Sequence, residues 1–435
     1  VTVAAVTLWG RRIGAVSIGP GERYASFQYE PAFARSGIQV APVHMPLREA
    51  PYRFAGLPDD AFHGLPGLLA DALPDRWGTA LVDAWLAANG RDRASFDVVE
   101  RLCYVGTRAM GALQFEPATG PAGASGGDLE LPELVRLASE ALSERATFVA
   151  ELSDHPAAAE MQALLAVGTS AGGARPKAII AYNDETGQVR SGQLDAEPGF
   201  RHWLLKFDGV SGAGDHGLRD PQGWGAIEYT YYELATAAGI DMTECRLLEE
   251  NGRRHFMTRR FDRSDGGDRV HVQTVGALEH VSYNEPGTYS YEQAFALMRR
   301  LGLRTPAVEQ QFRRMAFNVV ARNQDDHVKN TSLTMDRTGA WALSPAYDLT
   351  WAYAPGNPWL NSHQMSLNGK RDAFTRADIE AVARNAGLVR GRAGRILDEV
   401  RDVVATWPQR AAANAIDPDQ IAAAAASHRL TLPPR

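Results

Sequence analysis

The stretch that decides the reading is Arg322-Asn323-Gln324-Asp325-Asp326-His327-Val328-Lys329-Asn330, followed by Ser344-Pro345-Ala346-Tyr347-Asp348. It sets carboxylates, an imidazole, an ammonium and amides between an amphipathic helical pattern and a β-prone run. Such groups are costly to bury unless they satisfy one another or face a ligand. Asp325 and Asn330 lie five positions apart, and Asp348 follows one short hairpin later. Phosphoryl transfer uses such a trio. One carboxylate orients or deprotonates the attacking hydroxyl, while an amide oxygen and a second carboxylate hold Mg²⁺ against the phosphates. Two other readings stand beside it. Loop Asp and Asn commonly just make turns, and Asp325-Asp326-His327 carries the donor types of a metal hydrolase.

Moving upstream, Gly168-Thr169-Ser170-Ala171-Gly172-Gly173-Ala174-Arg175-Pro176-Lys177 precedes a β run from Ala178 to Tyr182. Small residues let backbone N–H groups approach a polyphosphate, and Arg175 and Lys177 add positive charge. No Gly-Lys-Ser/Thr opens a helix, so this is not a Walker A loop; taken alone it is an ordinary glycine-rich turn. His202 to Phe207 reads as a strand with Lys206 near its end, although a strand lysine commonly just snorkels from an edge. Trp224 to Gly239 reads as a helix with Ile227, Tyr231, Leu234 and Ala238 on one face. Glu228 and Glu233 are its two candidates to pair with Lys206. Cys245–Leu248 and His255–Phe261 are β runs around Asn251-Gly252, a strong hairpin signal. Glycine-rich loop, strand lysine, helix, catalytic loop and metal aspartate follow in the linear order of a protein kinase. The catalytic Asp and metal-holding Asn of such kinases have the same spacing as Asp325 and Asn330.

The 435 residues allow two or three domains with ample core. The net charge of −7 argues against strong autonomous nucleic-acid binding, which depends on basic phosphate contacts. The two cysteines, Cys103 and Cys245, are far apart and read as reduced residues of a cytoplasmic protein. No long apolar run suggests a membrane span, and no basic region followed by an apolar stretch suggests a signal peptide.

The N-terminal third reads as an antiparallel meander, residues 3–9, 13–18 and 24–29, with a further strand at 39–43 and a closing one at 111–115. From Gly64 to Trp85 the apolar period becomes helical, and Leu73-Pro74-Asp75-Arg76-Trp77 reads first as a helix-to-helix turn. Residues 117–128 have linker composition, and 129–152 read as a helix. Helices are expected at 290–302, 306–322, 376–387 and 390–405, with a short helix and tail over 411–435. The resulting division is an N-terminal α+β domain (1–117), a linker (118–128), a nucleotide-binding core (129–262) and a mostly helical C-terminal lobe (263–435).

Taken together, these motifs resemble the HipA family of bacterial serine/threonine kinases, the toxin halves of type II toxin–antitoxin pairs. The resemblance runs over nearly the whole chain: Gly-Arg-Arg-Ile-Gly at 10–14, Leu-Leu-Ala-Asp-Ala-Leu-Pro-Asp-Arg-Trp at 68–77, the Ser-x-x-Gly-x-x-Pro-Lys loop at 170–177, Leu-Lys-Phe at 205–207, Arg-Phe-Asp-Arg at 260–263, Asn-x-Asp-Asp-His-x-Lys-Asn at 323–330 and Pro-Ala-Tyr-Asp at 345–348. It implies an α+β, protein-kinase-like, two-lobed fold with an N-terminal α+β subdomain and an all-helical C-terminal lobe. It implies Asp325 as the catalytic aspartate, Asn330 and Asp348 as Mg²⁺ ligands, and Lys206 as the holder of the ATP phosphates. Gly172, Gly173, Ala174 and Lys177 would cover the phosphates, Met257, Thr258 and Arg259 would form the adenine hinge, and His327 would lie by the nucleotide. Ser170, with Thr169 as second candidate, matches the serine such kinases autophosphorylate, which ejects the loop; added phosphate charge there would oppose ATP. The family often has an acidic residue where Arg259 stands, so a side-chain contact to the ribose or adenine is not implied here. Partners implied are a HipB-like helix-turn-helix antitoxin, DNA only through it, and a protein substrate such as an aminoacyl-tRNA synthetase (glutamyl-tRNA synthetase among them), whose modification stalls growth. An idle co-repressor and a kinase of a non-protein acceptor are the alternatives.

Overall fold

The structure is a computed structural model, and it describes residues 1–120, 129–143, 175–193, 197–210 and 222–434. The N-terminal meander forms β1 (Thr2–Leu8), β2 (Arg11–Ile18) and β3 (Ser26–Tyr29), and β4 (Leu113–Glu116) closes the sheet in the order β3-β2-β1-β4. Ala4, Val6 and Leu8 alternate toward the core, as a half-buried strand requires. Short helices α1 (Pro31–Ala34), α2 (Asp59–Phe62) and α3 (Gly67–Ala70) lead into α4 (Arg76–Ala88) and α5 (Val98–Val105). The strand expected at 39–43 does not form. Val40 and Ala41 enter the core from a bend instead, since Pro42 lacks the N–H that a ladder uses.

The second sheet is antiparallel: β5 (Lys177–Asn183), β6 (Val189–Ser191), β7 (Phe200–Lys206), β8 (Cys245–Glu250) and β9 (Arg253–Arg259), in the order β6-β5-β7-β9-β8. The β8–β9 turn has positive φ at both Asn251 (44°) and Gly252 (78°), the pairing a two-residue hairpin demands. One face buries Ile180, Trp203, Leu205 and Met257 against Trp77 and Leu81 of α4 and Leu131 and Leu134 of α6 (Leu131–Ser143). The other face carries α7 (Trp224–Ala237), which lies over β8 and β9. Gly225 permits that approach, because a Cβ there would sit 2.1 Å from the Arg254 carbonyl oxygen.

The C-terminal lobe holds α8 (Val275–Glu279), α9 (Tyr291–Arg300), α10 (Thr305–Val320), α11 (Arg376–Asn385), α12 (Arg392–Val404), α13 (Trp407–Ala413) and α14 (Pro418–Ser427). α10 runs through its centre, with Phe312, Met315, Phe317 and Val319 fully covered; side chains of this size contribute roughly 1.5–3 kcal/mol each on burial. The lobe is not wholly helical. β10 (His271–Thr274), β11 (Ser332–Met335) and β12 (Trp341–Leu343) form a three-stranded sheet inside it. Each strand is only three or four residues long, too short to show a period in sequence. Its β11–β12 hairpin is the one expected before Asp348. The four longer helices form within a few residues of expectation, whereas the 129–152 helix is described only to Ser143. Among the described residues no helix is long and apolar enough to cross a membrane, and both cysteines are buried and free.

Candidate functional site

The site lies where β7, α7, the 323–330 loop and the turn after β12 meet. Lys206 ends β7, and its Nζ lies 2.5 Å from Glu228 Oε1 and in direct ion-pair contact with Asp348 Oδ1. Glu228 is therefore the pairing glutamate; Glu233 instead accepts a hydrogen bond from Asn414 at 2.7 Å. α7 holds Glu228 in place because Asp208, itself buried, caps the helix start by accepting from Gly223 N at 2.9 Å. Arg175 Nη1 stands 3.8 Å from the other Glu228 oxygen. Burial would drive the Lys206 ammonium toward neutrality, but Asp348 and Glu228 outweigh it and hold its pKa above the ordinary value. Burial likewise disfavours the Asp348 carboxylate, and Lys206, then Lys177, overcome it and keep the group ionised. Asp348 has φ 53°, a left-handed conformation that Asp tolerates better than most residues.

Lys177 is the direct cross-strand neighbour of Lys206, so both point from the same face of the sheet. It is 2% exposed and pairs with Asp75 Oδ2 at 2.9 Å. Trp77 donates its indole N–H to the Lys177 carbonyl at 3.0 Å. The turn at 73–77 thus does more than cap α4, although Asp75 does that too, accepting from Gly78 N at 2.7 Å. Burial raises the Asp75 pKa, and Lys177 opposes the shift.

The 323–330 loop is built from alternation. Successive residues of an extended segment point to opposite sides. Asp325 turns outward with its side chain 48% exposed, and its neighbours Gln324 and Asp326 are buried. Gln324 N donates to Ala352 O at 2.9 Å, and Asn323 N to Asn318 O at 3.0 Å, which ties the loop to α10. The Asn330 amide nitrogen donates to the Asp325 carbonyl at 2.7 Å, leaving its amide oxygen for another partner. His327 Nε2 lies 3.8 Å from Asp325 Oδ1. Lys329 stands over the Tyr283 ring, 4.7 Å from its centroid, and its carbonyl accepts from Tyr347 OH at 2.6 Å, which fixes the loop beside Asp348.

Among the described residues no three His, Cys, Asp or Glu side chains converge as a metal cage. The Asn330 amide oxygen and the Asp348 carboxylate are hard oxygen donors of the kind Mg²⁺ takes when a substrate's phosphates and water complete the shell. The donor set fits that ion.

The structure brings together Lys206, Asp325, His327, Asn330 and Asp348, and adds Glu228. It does not bring Met257, Thr258 and Arg259 to an open hinge. They lie inside β9, with Met257 and Thr258 paired to β7 and β8 on either side, and Arg259 N donates to Glu244 O at 2.8 Å. The ladder still holds at Arg260, whose N donates to His202 O at 3.0 Å. Arg259 pairs with Asp265. Thr169, Ser170, Gly172, Gly173 and Ala174 lie outside the described residues. Sequence reasoning passed over Asp75, Asp326 and His363. The first was read as a turn residue, the second stood beside a more conspicuous aspartate, and the third lies in a loop with no pattern.

Comparison with known proteins follows the same lines. Family models match residues 4–116 as a HipA N-terminal domain and residues 169–407 as a HipA-like C-terminal domain. No curated protein sequence matches the chain. Among solved structures it is similar to a chain of the Shewanella oneidensis MR-1 toxin–antitoxin complex of HipA, HipB and operator DNA, with 17% identity, 97% of this chain and 95% of that one covered, and a TM-score of 0.68. It is also aligned with the Helicobacter pylori proinflammatory kinase CtkA, at 11% identity, over 59% of this chain and 92% of that one, with a TM-score of 0.34. The mixed helix-and-sheet fold is of the HipA type.

Proposed function

The chain belongs to the HipA family, and from that premise we propose that it is an ATP-dependent serine/threonine protein kinase acting as the toxin of a toxin–antitoxin pair. The observation that carries this reading is the cluster of Lys206 with Glu228 and Asp348, set against the loop that displays Asp325. A strand lysine paired to a helix glutamate is the arrangement that receives ATP phosphates in kinases. In the free chain Lys206 is held by Asp348. ATP phosphates would take over the ammonium and release the Asp348 carboxylate, which with the Asn330 amide would hold Mg²⁺. Bound there, the ion neutralises charge that builds on the phosphates. Asp325, half exposed and fixed by its backbone, would orient the acceptor hydroxyl and take its proton. Lys177 and the 172–174 backbone would close over the phosphates. The chain divides accordingly into residues 1–117, a linker at 118–128, a nucleotide core at 129–262 and a lobe at 263–435.

The acceptor is a protein hydroxyl, with an aminoacyl-tRNA synthetase the first to test, in the cytoplasm. Ser170, or Thr169, would be the self-limiting autophosphorylation site. A HipB-like helix-turn-helix antitoxin is the proposed partner, supported by the complex in which the similar HipA chain was solved; DNA would be reached through it. The test is intact-mass spectrometry after incubation with Mg-ATP, beside Asp325→Ala. A gain of one phosphate in the wild type alone supports the reading. No gain, with or without ATP binding, overturns it.

A further inference from the structure

Asp326 is the second carboxylate of the catalytic loop, and the mechanism above does not use it. Its side chain is 1% exposed, against 48% for Asp325. Oδ2 accepts from Tyr291 OH at 2.6 Å and contacts His363 Nδ1 at 2.8 Å. Oδ1 accepts from Gln364 N at 2.7 Å. The partners come from two parts of the lobe: Tyr291 opens α9, while His363 and Gln364 lie together in the loop before α11. The links continue outward. Tyr291 OH accepts from Asn318 Nδ2 at 3.0 Å, and Asn318 Oδ1 accepts from Asn323 Nδ2 at 3.0 Å, which returns to the loop itself. His363 Nε2 lies 3.3 Å from Arg429 Nη1, and Arg429 N donates to Val320 O at 2.8 Å, at the end of α10.

A buried carboxylate with three donors is held at one position and angle, because moving it would leave a charge unsatisfied in an apolar lobe. Only one peptide unit separates it from Asp325. We propose that Asp326 is a positioning residue: its buried carboxylate, held by Tyr291, His363 and the Gln364 amide, fixes the backbone from which Asp325 meets the acceptor hydroxyl. This rests on the kinase reading, since Asp325 must act for its position to matter. A misplacement near 1 Å at a reacting group costs about 100-fold in rate. The proposed ATP contacts lie chiefly on β7 and Asp348, which the Asp326 hydrogen bonds do not reach; Asn330, bonded to the Asp325 carbonyl, is the shared link.

The experiment is steady-state transfer of labelled γ-phosphate from ATP into the full-length chain, with wild type, Asp326→Asn and Tyr291→Phe compared. Asn keeps the size of the carboxylate but brings an N–H₂ against donors. Phe keeps the ring in the core and removes one hydroxyl. The expected result is a fall in kcat of about 10- to 100-fold for Asp326→Asn and a smaller fall for Tyr291→Phe, with KM for ATP within about threefold of wild type. Unchanged kcat in a folded Asp326→Asn chain overturns the proposal. So does a parallel loss of kcat and ATP affinity, which marks general loosening of the lobe. If Asp326→Asn does not fold, Tyr291→Phe decides alone by the same split. A wild type that binds ATP but transfers nothing rejects the kinase reading itself, and this proposal with it.

Discussion

The five-stranded sheet and the 323–330 loop meet at Lys206 and Asp348, yet they keep their charges in opposite ways. On the sheet every cation at the site is already matched. Lys177 has Asp75 from α4, and Lys206 has Glu228 from α7 and Asp348 from the lobe. On the loop Asp325 is left half exposed, and the charge beside it is buried and satisfied instead. The difference follows from what each side must do. A phosphate-binding lysine can be stored in an ion pair and handed to a stronger anion, since both partners stay charged throughout. A group that takes a proton from an acceptor has to be open to it, and its precision must come from its neighbours.

The largest expected effect tests the open side. Asp325→Ala should lower phosphoryl transfer on the order of 10³-fold, while thermal unfolding stays near wild type; a normal rate would remove the residue from the mechanism. Next comes the paired side. Lys206→Met should reduce kcat/KM for ATP by roughly 100-fold, and isothermal titration should show weaker nucleotide binding, which Asp325→Ala should not. If both variants lose ATP affinity equally, the contrast between the two sides fails. Asp75→Asn removes the carboxylate that pairs with buried Lys177 at 2.9 Å. Urea unfolding should show a loss of about 3 kcal/mol, and a loss below about 1 kcal/mol would mean that the pair is not the anchor described.

His271 sharpens the contrast from a third place, because it is a fully buried base and, among the described residues, no carboxylate opposes the effect of its burial. Burial lowers its pKa to about 4, with the Val40 backbone opposing only weakly. Its unfolded value is about 6.5. The unfolded chain therefore binds the proton first, and the stability present above pH 6.5 or so is lost as pH falls toward 4. His202 and His428, also lowered to about 4, act in the same sense. For His271 the loss is about 2 kcal/mol at pH 5, and His271→Phe should flatten that part of the pH–stability curve. The smallest effect is the control. Arg337 and Asp268 are 2.9 Å apart, but their side chains are 61% and 71% exposed. Asp268→Asn should leave unfolding unchanged within error.

Much of this site could be read before the fold was known, for a physical reason. Asp325, Asn330 and Asp348 lie within one short stretch, and the chemistry that needs them dictates their types and spacing. Lys206 was found because a strand pattern ends on it. The choice of Glu228 over Glu233 needed the fold, since both lie on α7 and only packing over β9 decides which one turns toward Lys206. The pairing of Lys177 with Asp75 also needed the fold, since Asp75 lies on a different sheet-and-helix unit a hundred positions upstream. That Met257, Thr258 and Arg259 are engaged in the ladder, which holds to Arg260, needed the fold, because a β run in sequence does not show which neighbours its backbone pairs with. The strand expected at 39–43 failed for a local reason visible in hindsight, a proline within it. β10 went unread because its partner, β11, lies sixty residues on.

The Asp75–Lys177 pair has one more consequence, which concerns inheritance. The two family models divide the chain between them, one ending at 116 and the other starting at 169. Their boundary looks like a place where relatives could exchange parts. Asp75 belongs to the first part and Lys177 to the second, and the buried ammonium tolerates no neutral substitute opposite it. A chimera that joins this N-terminal part to a relative's kinase part should therefore be selected against unless that relative carries a cation at the matching position. Residues 75 and 177 are expected to be exchanged together, because a cut between the two matched segments separates a buried ion pair.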